Sequence, residues 1–294
     1  MSLSVCIVVH NEERTLRCAL ASLGDCADEI IVVHDGLCSD RTMDIAAEFT
    51  DKTFVRDRAG NNQPLRIFAI EQSSTDWILL LDADEVLSPG LRDGMSTLSA
   101  DESKDAYAVQ WLYYDEARGA VDHGYNFKYK KVLFRKSKMY WIGLSQIAGG
   151  TTGRLARTDL VLEHHAPFVG NPLQRLGTHI RKNKARSRVN ARYLTGPIDE
   201  IPVYNCSLVD RSLRERRKLM LQRRWPLLAL FLLPPYSFLL GYFGRGMSKG
   251  GLLGFVDAVN LPILHAMTCW RILVCRLKEG TWVPGAEPGV RRGI

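Results

Sequence analysis

Asp76-Trp77-Ile78-Leu79-Leu80-Leu81-Asp82-Ala83-Asp84-Glu85 sets five consecutive large apolar residues directly before three carboxylates. A short apolar run bounded by polar residues predicts a strand buried on both faces, as a parallel sheet requires. The same profile recurs upstream. Leu3 to Val9 breaks into His10-Asn11-Glu12-Glu13, Glu29 to His34 breaks into Asp35-Gly36, and Thr53 to Val55 supplies a shorter strand. Between these runs, Thr15 to Leu23, a stretch through Phe49 opened by the capping residues Ser39-Asp40-Arg41-Thr42, and Arg66 to Gln72 read as helices. Strands alternating with helices predict an α/β fold, a doubly wound and mostly parallel sheet with right-handed crossovers.

Composition agrees with a folded chain. The sequence has 294 residues, 46% hydrophobic and 24% charged, which excludes collagen-like, low-complexity and disordered readings. Charge is unevenly placed: residues 1–100 carry a net −9 and the remainder +16. The acidic front could hold a metal, and the basic back could meet something anionic. Seven cysteines, with no Cys-x-x-Cys and no His at zinc spacing, predict neither a disulfide framework nor a zinc site and fit a reducing compartment. Leu3 to Val9 is too short for a signal peptide, so the front of the chain is expected in the cytosol.

In a parallel α/β sheet, ligands sit beyond the carboxyl ends of the strands. Asn11, Glu12, Asp35, Asp82, Asp84 and Glu85 all fall at such ends. Crowded carboxylates repel one another unless a cation offsets them, and Asp82-Ala83-Asp84 is short enough for both to serve one Mg²⁺ or Mn²⁺ that itself holds a diphosphate. Leu160 to Glu163 ends another apolar strand in His164-His165. These histidines either complete a metal shell or simply close a strand. Trp77 and Trp111 read as core rather than as sugar platforms.

Val8 to Glu13, Ile31 to Gly36 with Ser39 to Thr42, and Asp76 to Glu85 together resemble the ordered motifs of family 2 glycosyltransferases, which have the nucleotide-sugar-binding GT-A fold. By that resemblance Asp35 would bond the nucleobase, Asn11 and Glu12 would line the base and ribose pocket, and Asp82 and Asp84 would serve ribose and metal. Arg66 would face the diphosphate, and His164 would join the metal. The resemblance also implies an inverting transfer, in which a general base takes the acceptor's proton while the metal supports the leaving diphosphate. Two departures stand out. Leu37-Cys38 interrupts the second motif, leaving Asp35 and Asp40 both open as the base partner. Trp141-Ile142-Gly143 is followed by Leu144-Ser145-Gln146-Ile147 where relatives carry His-Glu, so the base is unassigned, with Asp115, Glu116, Asp122 and Glu163 as candidates.

From Tyr107 to Trp141 aromatic, alternating segments predict antiparallel strands capping the sheet. Leu173 to Leu194 reads as a helix that stacks Arg181, Lys184, Arg188 and Arg192 on one face. Polybasic Arg211 to Arg224 then abuts the uncharged run Trp225 to Gly244, the order expected at an anionic cytoplasmic leaflet. Pro226, Pro234 and Pro235 interrupt that run, and Pro234-Pro235 is expected to break a span. Gly250 to Cys275 is more amphipathic than transmembrane. The domains expected are a transferase domain over 1–200 and a basic, apolar, helical membrane-associating region over 201–294, peripheral or monotopic on the cytoplasmic face of the cell membrane. The function expected is sugar transfer from a nucleotide diphosphate to a lipid-anchored or phosphorylated glycan acceptor such as a lipopolysaccharide core. The alternatives are a polyprenyl-phosphate glycosyltransferase or a silent membrane-bound nucleotide-sugar-binding protein. Nucleic acid is not expected as a partner, because the acidic front would repel a duplex and no binding motif is present.

Overall fold

The computed structural model describes residues 2–115, 119–122, 129–145, 149–165, 171–209 and 213–278. They form two compact units, one over 1–141 and 149–168, the other over 142–148 and 169–294.

The first unit begins with four strands that follow the apolar runs closely: β1 (Leu3–Val9), β2 (Glu29–Asp35), β3 (Thr53–Arg56) and β4 (Trp77–Asp82). They pair in parallel in the order β3-β2-β1-β4. Register sets Val9 against His34 and Val8 against Asp82, so the first, second and fourth strands end at one edge. Intervening helices are α1 (Leu16–Ala21), α2 (Thr42–Ala47) and α3 (Asn62–Gln72). The last begins four residues earlier than its apolar periodicity suggests, because the Asn61 side chain accepts from Gln63 N–H at 3.2 Å and caps it. Leu16, Ala19 and Leu20 of α1 share one buried cluster with Val5, Ile7, Val32, Leu79 and Leu81.

A short strand β5 (Glu85–Leu87), which pairs with the later strand Leu155–His164, and the helix α4 (Pro89–Ala100) follow the acidic turn. The aromatic segment forms β6 (Ala106–Asp115), β7 (Ala120–Asp122) and β8 (Lys130–Arg135); β9 (Met139–Ile142), β10 (Gly150–Thr151) and β11 (Leu155–His164) come next. The antiparallel expectation holds for β8, which pairs with β4 on one side and β6 on the other. It fails for β6 and β11, which run parallel. Nor does this segment cap the parallel strands. It extends their sheet edge to edge in the order β4-β8-β6-β11-β5, because hydrogen-bonding edges rather than faces were left open. The α/β expectation is thus met by a mixed sheet with a wholly parallel leading half. Trp77 is fully buried, as expected of core.

The second unit is helical. Its long helix α5 (Pro172–Thr195) is capped by Asn171, and α6 (Cys206–Val209), α7 (Leu213–Arg224), α8 (Pro226–Leu239), α9 (Gly251–Ala258) and α10 (Asn260–Lys278) follow. Its interior is polar where α5 meets its neighbours. Arg175 grips Asp257 with two hydrogen bonds of 2.7 and 2.8 Å, His179 adds a third at 2.8 Å, and Asn183 donates to Asn260 at 2.8 Å. The proline pair does not break α8, contrary to expectation: Pro234 and Pro235 lie inside it. A proline ring fixes φ at a helical value, so two adjacent prolines remove hydrogen bonds from a single turn and the helix continues past them. A π-helical turn over Leu240–Gly244 follows directly.

α8 buries Ala229, Leu233 and Ser237 and turns six large apolar side chains outward: Leu227, Leu228, Phe231, Leu232, Tyr236 and Leu239 are each 47–68% exposed. Two helical segments, Pro226–Gly244 and Met247–Lys278, are long and apolar enough to cross a membrane.

Candidate active site

The edge where β1, β2 and β4 end is built by backbone bends that only certain residues accept. Asn11, two residues after the end of β1, sits at φ 54, and Gly36, directly after β2, at φ 91. Glycine adopts the second conformation without strain and asparagine tolerates the first. A Cβ at position 36 would also approach Arg58 Cδ at 3.1 Å. Between the two bends lies His34, fully buried. Its Nδ1–H donates to Gly36 O at 2.7 Å and its Nε2 accepts from Asn11 N–H at 3.2 Å, a tautomer set by both partners. Asn11 Oδ1 in turn accepts from Ser39 N–H at 3.0 Å.

Asp35 and Asp40 take different roles here. Asp35 is 2% exposed; its Oδ1 accepts from Ala59 N–H at 2.6 Å, and Arg58 lies 3.6 Å from Oδ2. Asp40 instead ties the start of α2 to the turn after β1, accepting from Thr42 N–H at 2.9 Å and Glu13 N–H at 3.2 Å. Burial opposes its ionisation, but hydrogen bonds from Thr42, Glu13 and Cys38 hold its pKa down at about 2. Glu12 N–H donates to Thr42 Oγ1 at 2.7 Å, and Glu12 O starts α1 by accepting from Leu16 N–H at 3.0 Å.

At the end of β4 four charges interlock. Arg66 from α3 bonds Asp82 Oδ1, and Lys130 from β8 bonds Asp82 Oδ2 at 2.7 Å. Lys130 also bonds Glu85 Oε1. Glu85 is completely buried, accepting from Trp111 Nε1–H at 2.5 Å and, through Oε2, from Asp82 N–H at 3.0 Å. Burial resists charge on Asp82, yet Arg66 and Lys130 hold its carboxyl well below the usual range. For Glu85 burial wins and its pKa rises. Burial would lower Lys130, but Asp82 and Glu85 outweigh it and keep the ammonium above its ordinary value. The network joins two carboxylates, two cations and one indole donor. Losing one partner of such a buried pair costs ~3–5 kcal/mol.

Asp84 stands apart from that network. Its Oδ2 lies 3.2 Å from His164 Nε2, and its backbone oxygen accepts from His165 N–H at 2.7 Å. His164, at the end of β11, packs against Trp111 with ring centroids 4.3 Å apart and against Tyr113 at 4.7 Å. Trp111 is therefore more than core, the reading its sequence context suggested. It supports His164 of β11 with its ring and Glu85 of β5 with its nitrogen, two partners that the order β6-β11-β5 brings together and that no local pattern encodes.

Two neighbouring ligands at ~2.1 Å from one octahedral cation stand ~3 Å apart, so Asp84 and His164 fit as an adjacent pair in the shell of Mg²⁺ or Mn²⁺. Among the described residues no group of three or more His, Cys, Asp or Glu gathers that could hold a metal alone.

Of the carboxylates considered as general base, Asp115 shares a strand face with Trp111 and Tyr113 by the period-2 alternation of β6. Glu163 alternates to the face opposite His164 and bonds His165 Nε2 at 3.0 Å, while His165 stacks on Tyr114. Glu116 lies outside the described residues, as do positions 146 and 147; of Asp122 only the backbone is described, in β7.

Sequence reasoning missed Lys130, His34 and Arg58. Lys130-Lys131 looks like an ordinary charged strand start, and only the pairing of β8 with β4 carries Lys130 to Asp82.

A family model described as Glycosyl transferase family 2 matches residues 4–163, more than half of the chain. The lipopolysaccharide core biosynthesis glycosyltransferase LpsC of Rhizobium meliloti (strain 1021) is 28% identical over 284 residues, covering 92% of each chain. An uncharacterized glycosyltransferase of Rickettsia bellii (strain RML369-C) is 35% identical over 105 residues, 36% of this chain and 35% of that one. In the shorter matches the aligned part thus spans only 21% to 36% of the relatives' length. Among solved structures, S. aureus TarS 1-349 in complex with UDP superposes with a TM-score of 0.42 at 12% identity, covering 100% of this chain and 98% of that chain.

Proposed function

The chain belongs to glycosyl transferase family 2, and on that premise we propose that it moves a sugar, with inversion, from a nucleoside diphosphate to a phosphate-bearing, lipid-anchored glycan at the cytoplasmic face of a membrane. The observation that carries this reading is the arrangement at the end of β4, where Asp82 is clamped by Arg66 and Lys130 while Asp84 is left to His164. A diphosphate needs fixed positive charge, and a transferase needs most of it where the leaving group departs.

In this reading Asp35 and Asn11 receive the base and ribose, held in place by His34 and the bends at Asn11 and Gly36. Asp84 and His164 hold Mg²⁺ or Mn²⁺, which when bound supplies positive charge to the departing diphosphate. Arg66 orients Asp82 toward the ribose. Asp115, on the same strand face as the aromatics that support His164, accepts the proton of the acceptor hydroxyl as its oxygen attacks the anomeric carbon. Its strand-face position favours it over Glu163.

The outward apolar face of α8 supports membrane contact. At roughly half exposure each large side chain forgoes roughly 1 kcal/mol that burial in lipid would return. The continuous helical run Pro226–Gly244 has 19 residues, about 28 Å of rise against about 30 Å of bilayer hydrocarbon, and we read it as lying in the interface plane because one face buries Ala229, Leu233 and Ser237. Trp225 at its start and Arg224 before it suit the headgroup level. LpsC, alike over nearly the whole chain, supports a lipopolysaccharide-core acceptor. Screening sugar nucleotides for acceptor-dependent release of nucleoside diphosphate tests the proposal; donor binding without turnover for any acceptor would leave a silent binding protein instead.

A further inference from the structure

Lys130 is held between two carboxylates at the end of β4. Glu85 already receives hydrogen bonds from Trp111 Nε1–H and from Asp82 N–H, and Asp82 already has the Arg66 guanidinium on Oδ1. Lys130 spans the two, contacting the fully buried Glu85 on one side and Asp82 Oδ2 at 2.7 Å on the other. The Asp82 and Lys130 side chains retain 33% and 26% of their exposure, whereas Glu85 has none. The ammonium is thus anchored from beneath by Glu85 and reaches the crevice beside Asp82. An ammonium has three donors, and the two carboxylates take two of them.

We propose that Lys130 is a diphosphate-binding residue, its third donor directed at a phosphate oxygen of the donor nucleotide while Glu85 fixes its position from below. This rests on the reading that the site takes a nucleoside diphosphate. It assigns to the chain a side-chain cation that contributes to diphosphate affinity whether or not a divalent ion is present. Arg66 sits on the other oxygen of Asp82, with its guanidinium over the Trp141 ring at 5.7 Å. A charge-assisted hydrogen bond of this kind changes affinity about ten- to a hundredfold.

The test is calorimetric titration of UDP and of GDP into the full chain, with excess EDTA and again with Mn²⁺. Lys130→Met should weaken binding of the accepted nucleotide about ten- to a hundredfold in both conditions, and Lys130→Arg should stay within a few-fold of wild type. Lys130→Met leaves Glu85 short of a partner and risks the fold, so the double variant Lys130→Met/Glu85→Gln, which removes both charges, is measured beside it with a thermal melt. If Lys130 served only to neutralise Glu85, the double variant would recover wild-type affinity, and that recovery overturns the proposal. So does wild-type affinity in Lys130→Met. Wild-type protein that binds neither nucleotide in either condition removes the nucleotide-site reading, and this assignment with it.

Discussion

Asp84 Oδ2 and His164 Nε2 lie 3.2 Å apart although 80 positions separate them in the chain. The contact exists because β11 pairs with β5, setting His164 opposite Glu85 just past the acidic turn. On the proposed reading this carboxylate and imidazole would supply two of the six ligands of an octahedral cation. Asp84→Ala should therefore abolish transfer while leaving the thermal melt unchanged. His164→Ala should raise the Mn²⁺ concentration needed for half-maximal activity by at least the ten- to hundredfold typical of lost metal-site support. Titrating Mn²⁺ into protein stripped with EDTA checks both, and an unchanged Mn²⁺ requirement in His164→Ala would remove it from the shell.

Asp115 is assigned the acceptor's proton on strand-face grounds. Asp115→Asn should cut kcat at least a hundredfold with KM for the donor little changed, because the loss is confined to the transition state. Glu163→Gln should leave kcat within about tenfold. The reverse ordering of the two variants would move the base to the other face of β11.

Far from the site, Glu29 gathers Ser4, Lys52 and Ser74 at the opposite end of β2. Burial opposes its ionisation, but those hydrogen bonds and the lysine bring its pKa from 4.5 to about 2. A folded pKa below the unfolded one stabilises the protein above the unfolded value. That contribution is complete above about pH 4.5 and is lost as pH falls toward about 2. Glu29→Gln should flatten the acid limb of the stability curve in this window and lower stability at neutral pH by ~1–2 kcal/mol. Denaturant melts at several pH values show whether the limb flattens.

For the membrane contact, Phe231 is 68% exposed on α8 and makes a clean probe. Phe231→Glu should reduce binding to vesicles containing anionic lipid at least tenfold in a flotation assay with little change in the melt, since most of the side chain is exposed. Undiminished flotation would place the contact elsewhere.

Much of this was legible in the chain. The runs Leu3 to Val9, Glu29 to His34 and Trp77 to Leu81 are continuous enough that strand type and parallel pairing follow from them, and the breaks after them bring the expected site residues to one edge. What could not be read is whatever depends on a sheet pairing set by tertiary contacts. Lys130 meets Asp82 only because β8 inserts beside β4. Trp111 reaches Glu85 only because β6 inserts next, and the parallel run of β6 with β11 contradicts what its aromatic texture suggests. The continuity of α8 through Pro234-Pro235 was illegible for a different reason: proline's cost is counted in hydrogen bonds, and a helix can forgo those of one turn.

The central claim is tested most directly by measuring nucleoside diphosphate release from a panel of sugar nucleotides, with Mn²⁺ and a lipopolysaccharide-core acceptor, in wild type and Asp84→Ala. The account predicts acceptor-dependent release with one donor and none in the variant. Tight donor binding with no release from any donor, or full release by Asp84→Ala, would contradict it.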